Sequence, residues 1–168
     1  MRSFALATFA LCLLVALNGA TRGVSPRIDH TRYPVTVFNE SLAVAAELMG
    51  PERVRQNFGP EVDSGYLVVE VGVYPREKNQ IDIRQSDFRL RISRRSMLKP
   101  AAPQAMGDAL HRTELAEKAL PEVVTYKPVA GYLYFPVREK LAGSYAYELE
   151  YIGQGNWMML PLPAAGVR

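Results

Sequence analysis

One cysteine, one tryptophan and two histidines are all that 168 residues hold of these types, and each scarcity removes a class of chemistry. Cys12 lies in an N-terminal apolar stretch, so the remaining chain has no thiol for a disulfide framework or a cysteine-based zinc site. His30 and His111 sit in a polar lead-in and in a helix-prone segment, and they cannot supply the usual zinc ligand set. No alternating Asp/Asn run followed by Gly and Glu marks a calcium loop. Ser64 in "DSGYL" lacks the flanking glycines of a nucleophile elbow. Glu148 and Glu150 are a conceivable carboxylate pair, about 7 Å apart on one strand face, yet outward charge is the ordinary state of a half-exposed strand. No metal, cofactor or catalytic motif is found, and the expectation is a protein that is not an enzyme.

Charge of one sign is also missing. The formal net charge is +3, from 20 basic and 17 acidic residues. One of the basic residues, Arg2, begins a stretch built like a secretory signal: a basic start, a fourteen-residue apolar run from Phe4 to Leu17, then Asn18, Gly19 and Ala20. The run is short for a membrane span, which needs about 20 residues. Residues 1–20 are therefore expected to be a cleaved signal peptide. Leu11 ahead of Cys12 does not fit lipid attachment. Once residues 1–20 are removed, the near-neutral remainder gives no reason to expect nucleic acid as a partner, and membrane association without spanning stays open. About 148 residues suffice for one domain with a real core.

Hydrophobic periodicity predicts mostly strands. Residues 21–32 are polar, with Gly23 and Pro26, and read as a flexible lead-in to a single domain over 33–163; residues 164–168 read as a tail. "PVTVF" (34–38) and "LAVAAEL" (42–48) are strand-like and split by Asn39 and Glu40. Pro51 and Gly59 bracket a two-turn helix over 51–58 that Val54 and Phe58 pin from one face. In "GYLVVEVGVYP", Leu67, Val69, Val71 and Val73 alternate with Tyr66, Val68, Glu70, Gly72 and Tyr74. After "REKNQ", alternation resumes through Ile81 and Ile83 and, past a break, through Phe88, Leu90 and Ile92, with Arg89 and Arg91 opposite; this segment is expected to pair antiparallel with "GYLVVEVGVYP". A helical insert near 103–119 contains Gly107, so one helix or two short pieces fit equally. Strand character returns at 123–126, 132–137 and 145–152, where Tyr145, Tyr147, Leu149 and Tyr151 face one way and Glu148 and Glu150 the other. "GQGN" is then a hairpin turn into "WMMLPL".

Roughly seven or eight short strands with turn signals between them predict a mainly β, antiparallel sandwich. The succession "LAVAAEL", "ERVRQNFG", "GYLVVEVGVYP", "IDIRQSDFRLRI" and "GYLYFPV" resembles a group of uncharacterised bacterial secreted or envelope proteins with an immunoglobulin-like β-sandwich. The resemblance covers roughly residues 41–137, with Asp87, Phe88 and Leu90 matching the strand ending of that group. It implies a fold and a secreted or periplasmic location, and it carries no activity.

Two surfaces are candidates for partner binding. If the strands are neighbours, Tyr66, Tyr132 and Tyr134 cluster on the sheet face opposite the core, where they either lie open or are covered by an apolar lid from residues 100–120; such an insert has to bury its own face, which favours the lid. Arg89 and Arg91 belong to a basic set with Arg84, Arg94, Arg95 and Lys99, which either meets an anionic partner or pairs with carboxylates of adjacent strands. The expected function is a non-catalytic binding domain for an envelope protein or a polysaccharide. The alternatives are a carbohydrate-binding module using the tyrosines and Trp157, or an unrecognised hydrolase.

Overall fold

The computed structural model describes residues 22–76, 78–93, 96–107, 109–137 and 146–163. The expected signal peptide, Tyr145 and the tail lie outside the described residues, as do Arg94 and Arg95. Among the described residues ten strands form two four-stranded sheets and a two-stranded ribbon, all antiparallel. The first sheet runs β1 (Val35–Phe38), β2 (Leu42–Leu48), β3 (Tyr66–Pro75), β8 (Val129–Pro136). The second runs β10 (Asn156–Leu162), β9 (Tyr147–Gly153), β5 (Phe88–Ser93), β6 (Ser96–Leu98), and β4 (Ile81–Ile83) pairs with β7 (Val123–Thr125).

The two larger sheets share one core, because each strand sends alternate side chains inward. Val69, Val71, Val73, Leu133 and Phe135 of the first sheet meet Phe88, Leu90, Leu149, Tyr151 and Leu160 of the second, with Ile81 and Ile83 of the ribbon. The alternation read from "GYLVVEVGVYP" is thus the alternation observed, and the mainly β, antiparallel expectation holds. The expected pairing of β3 with the 81–92 segment does not. β3 lies between β2 and β8, while β4 pairs with β7 and β5 with β6 and β9. The chain therefore leaves the first sheet between Pro75 and Ile81, and the strand pattern alone does not encode this change of partner.

Helix α1 (Pro51–Phe58) falls where Pro51 and Gly59 placed it, and Gly59 closes it with a positive φ of 87°. Directly after it comes α2 (Pro60–Gly65), which the strand and helix patterns did not reveal: it is six residues long with one apolar side chain, Val62, facing inward. The insert forms two pieces, a 3-10 turn at Pro103–Ala105 and α3 (Ala109–Lys118), with Gly107 at φ +60° between them. "GQGN" is a two-residue hairpin loop: Gly153 pairs with Asn156, and Gln154 and Gly155 both take positive φ.

The segment expected as a flexible lead-in is instead held against the first sheet over residues 22–33. The Val24 amide donates to the Ala130 carbonyl (2.9 Å), Arg22 pairs with Glu117 of α3, and a 3-10 turn at His30–Arg32 delivers Tyr33 to a buried position. Its polar composition concealed this because the attachment is made largely by arginines and backbone groups rather than by an apolar stripe.

Candidate functional site

The tyrosine face is covered. Tyr134 is only 1 % exposed and packs with Val68, Phe58 and Val62 under α1 and α2, and with Met106 and Leu115 of the insert. Its ring meets Phe58 edge-on at 5.7 Å between centroids, its hydroxyl donates to the Leu115 carbonyl (3.2 Å), and burial pushes its phenol well above the usual range. Tyr132 is half-buried with its ring edge-on to Phe58 at 4.9 Å, and Tyr66 packs at the margin of the same cluster. Tyr134 therefore has no open surface for a partner, contrary to the expectation, while Tyr66 and Tyr132 are partly buried at the margin of a second core. The cause is the apolar side of the insert and of α1, which finds its burial here.

Beside that cluster, on the same sheet face, stands an ion network that sequence reading passed over. Glu47 of β2 and Glu70 of β3 are register partners. Arg27 reaches across both, donating from Nη2 to Glu47 and to Glu70 (2.8 Å) and from Nε to the other Glu70 oxygen (3.1 Å). Arg53 of α1 donates to Glu47 at 2.5 Å. The Arg27 guanidinium also lies 4.0 Å from the centre of the Tyr33 ring, and the Tyr74 hydroxyl donates to the Arg27 carbonyl (2.9 Å). Burial acts to raise the Glu47 pKa, but the hydrogen bond from Arg27 and the charges of Arg53 and Arg27 outweigh it and hold the carboxyl below its ordinary value. The oxygens of this carboxylate pair are committed to two guanidinium groups, which suits a fastening and not general acid–base work. The available signal was a lone charge inside each of two apolar strands, "LAVAAEL" and "YLVVEVGVYP".

The outer face of the second sheet is different in kind. Trp157, Met159 and Pro161 of β10 stand opposite Ile152, Glu150 and Glu148 of β9, and Arg89 and Arg91 of β5 stand opposite Glu150 and Glu148 in turn. Met97 of β6 completes the row beyond Arg91. Trp157 is 63 % exposed, and Ile152 and Met97 are exposed with it. The indole is nevertheless fixed: its N–H donates to Glu150 Oε1 (2.9 Å), diagonally across the strand pair. Glu150 is itself only 6 % exposed, and its Oε2 is buried with no hydrogen-bond partner among the described residues. Arg91 sits between the carboxylates at 3.7 Å from Glu148 and 3.8 Å from Glu150, beyond normal hydrogen-bond length in both cases.

The structure thus brings Arg89 and Arg91 together with Trp157 and separates all three from Tyr66, Tyr132 and Tyr134. Arg84, of the same basic set, is turned to Asp82 at 2.6 Å and does not join them. Ile152, Met97 and the anchoring role of Glu150 were not foreseen, although the alternation of "NWMMLPL" already opposes Trp157, Met159 and Pro161 to Met158, Leu160 and Leu162. Among the described residues no group of three or more His, Cys, Asp or Glu is placed to hold a metal ion, and no helix is long and apolar enough to cross a membrane.

No protein-family model matches the chain, and no curated protein does. Among solved structures, a "putative lipoprotein (ycdA)" from Bacillus subtilis aligns at a TM-score of 0.48 and 17 % identity over 76 % of this chain, and the chain spans 38 % of that protein's length. The yjhA protein from Bacillus subtilis aligns at a TM-score of 0.41 and 16 % identity, covering 71 % of this chain and 78 % of its own. These are distant likenesses of backbone, and the functional reading below rests on the geometry of the chain itself.

Proposed function

We propose that the domain is a non-catalytic binding module of a secreted or periplasmic protein, and that it receives its partner on the outer face of the β10–β9–β5–β6 sheet. The observation that supports this reading is Trp157, a large ring left in solvent while its one polar atom is tied to a nearly buried carboxylate. An unneeded exposed tryptophan has no reason to be oriented; a binding platform does, because a ring already fixed loses less freedom when a ligand arrives. The location follows from the signal-like N-terminus. The two facing sheets are compatible with the immunoglobulin-like topology that the sequence resemblance implies, and that finer assignment is part of the proposal.

The test is sedimentation with washed insoluble cell-envelope material. Wild-type protein is expected to be retained. Trp157→Ala is expected to lose retention while its urea midpoint stays within experimental error of wild type, since an exposed ring contributes little to the core. Equal retention of the two proteins would remove this face as the binding surface.

A further inference from the structure

We infer that the partner of the Trp157 face is a neutral glycan chain, an inference that rests on the binding surface proposed above and names the chemistry that fits it. Three features of the face converge on this class.

The first is the ring. An indole face carries the negative lobe of its quadrupole outward, and the axial C–H bonds of a pyranose present a matching, weakly positive apolar face. Stacking of this sort needs a ring held flat and open, and the hydrogen bond from the Trp157 N–H to Glu150 holds it.

The second is the polar surround. A sugar hydroxyl both donates and accepts, so it is best met by donors and acceptors set side by side. Around Trp157 the sheet places exactly such a mixture: carboxylates at Glu148 and Glu150, and guanidinium groups at Arg89 and Arg91 directly across the strand register. Arg91 is held loosely by both carboxylates and keeps donor capacity, while the partly exposed Glu148 carboxylate supplies acceptor oxygens. Two acids and two bases cancel. A polyanion would be drawn by an excess of arginine and a polycation by an excess of carboxylate, and among the described residues the face has neither.

The third is shape. Trp157, Ile152 and Met97 are exposed along the outer side of the sheet, an extended surface unlike the enclosing pockets that hold a small molecule. From Trp157 to Pro161 the row is ~14 Å long by strand geometry, which suits a run of linked sugar units better than a single one.

The chain has a single tryptophan, so emission excited selectively in the indole, at wavelengths its tyrosines do not absorb, reports on this face alone. Protein expressed from the full-length chain is titrated with neutral hexasaccharides built on glucose, mannose and N-acetylglucosamine, and with hexagalacturonate as the anionic counterpart. At least one neutral oligosaccharide is expected to shift the Trp157 emission saturably, with hexagalacturonate at least about tenfold weaker, a ratio that separates recognition from unspecific adsorption. Calorimetry is expected to show that Trp157→Ala loses this binding and that Arg91→Met weakens it several-fold, with circular dichroism confirming that both variants are folded. Three results overturn the inference: no response to any neutral oligosaccharide, a stronger response to hexagalacturonate, or binding that survives Trp157→Ala. The sedimentation assay separates the two levels of the argument. Retention on envelope material that needs Trp157 but is not displaced by neutral oligosaccharide leaves the binding face standing and points to a protein partner. Retention indifferent to Trp157 removes both.

Discussion

Glu47 and Glu70 face each other on adjacent strands, with the Arg27 guanidinium hydrogen-bonded to both. Two carboxylates in direct register repel, so this arrangement is stable only while a cation sits between them. Arg27 comes from the N-terminal segment, and the pair therefore doubles as the fastening of residues 22–33 to the first sheet. Arg27→Met is expected to cost about 3 kcal/mol at pH 7, because it takes the bidentate guanidinium from Glu70 and leaves two facing carboxylates with Arg53 alone. Urea unfolding measures this directly. A loss below about 0.5 kcal/mol would show that the segment is held by its other contacts alone.

The same pair predicts a dependence on pH. In the folded protein the Glu47 carboxyl is held below its ordinary value, 4.5, so it contributes stability above that value and loses it as pH falls through the folded one. In Arg27→Met only Arg53 still pairs with Glu47, so this contribution is smaller. The stability gap between the two proteins is expected to narrow between pH 7 and pH 3.5. A gap that stays constant across that window would mean that the carboxylates are not what Arg27 serves.

Gly131 marks a second place where the fold depends on one residue. A Cβ at this position would lie 2.3 Å from the Leu120 Cα and 2.4 Å from its nitrogen, where the chain after α3 crosses β8 and the Leu120 amide donates to the Tyr132 carbonyl. The obstacle is backbone and cannot rotate away, so Gly131→Ala is expected to destabilise by about 3 kcal/mol and to loosen the helical cover. Gly65→Ala is the control: nothing lies within 4 Å of its Cβ, and stability is expected to hold or rise slightly.

Residues with strong local signals could be placed from the sequence. Alternation located β3, β5 and β9 and sorted inward from outward side chains, Pro51 and Gly59 bounded α1, and "GQGN" gave its hairpin into β10. Strand partners were not legible, because Val69 reads the same whether its neighbour is β2, β8 or β5; the choice is made by three-dimensional closure of the core. β6 was missed because "SML" is three residues long with only Leu98 packed against the core. The candidate site divided along the same line. Arg89, Arg91 and Trp157 each lay on an identifiable outward face, but that they share one face, and that Tyr134 lies under a different cover, depends on which strands are neighbours.

Burial of Tyr134 separates stability from binding. Tyr134→Phe removes the hydrogen bond to the Leu115 carbonyl and is expected to cost about 1 kcal/mol. Tyr134→Ala removes the ring from beneath α1 and the insert and is expected to cost 3 kcal/mol or more, approximately. Tyr134→Phe is expected to leave retention on envelope material unchanged. Weakened retention by this folded variant would return the tyrosine face to consideration.

Glu150 allows the opposite separation. It is almost fully buried beside Trp157, with one oxygen accepting the indole N–H and the other without a partner among the described residues. A buried carboxylate satisfied on one side only is a poor contributor to stability, and an apolar side chain of similar volume in its place is expected to be neutral or stabilising, by up to about 1 kcal/mol. Glu150→Leu should therefore unfold at the same or a higher urea concentration than wild type. The same change releases the indole, whose N–H then turns to water, so time-resolved fluorescence anisotropy of Trp157 is expected to show faster local depolarisation and ligand binding to weaken. Glu150→Gln keeps an acceptor oxygen for the indole and is expected to preserve both ring order and binding. A Leu variant that binds as well as wild type would mean that ring fixation has no part in recognition. A Leu variant that is strongly destabilised would mean that Glu150 is there for the fold. Only stability retained together with ring order lost assigns the carboxylate to positioning the platform.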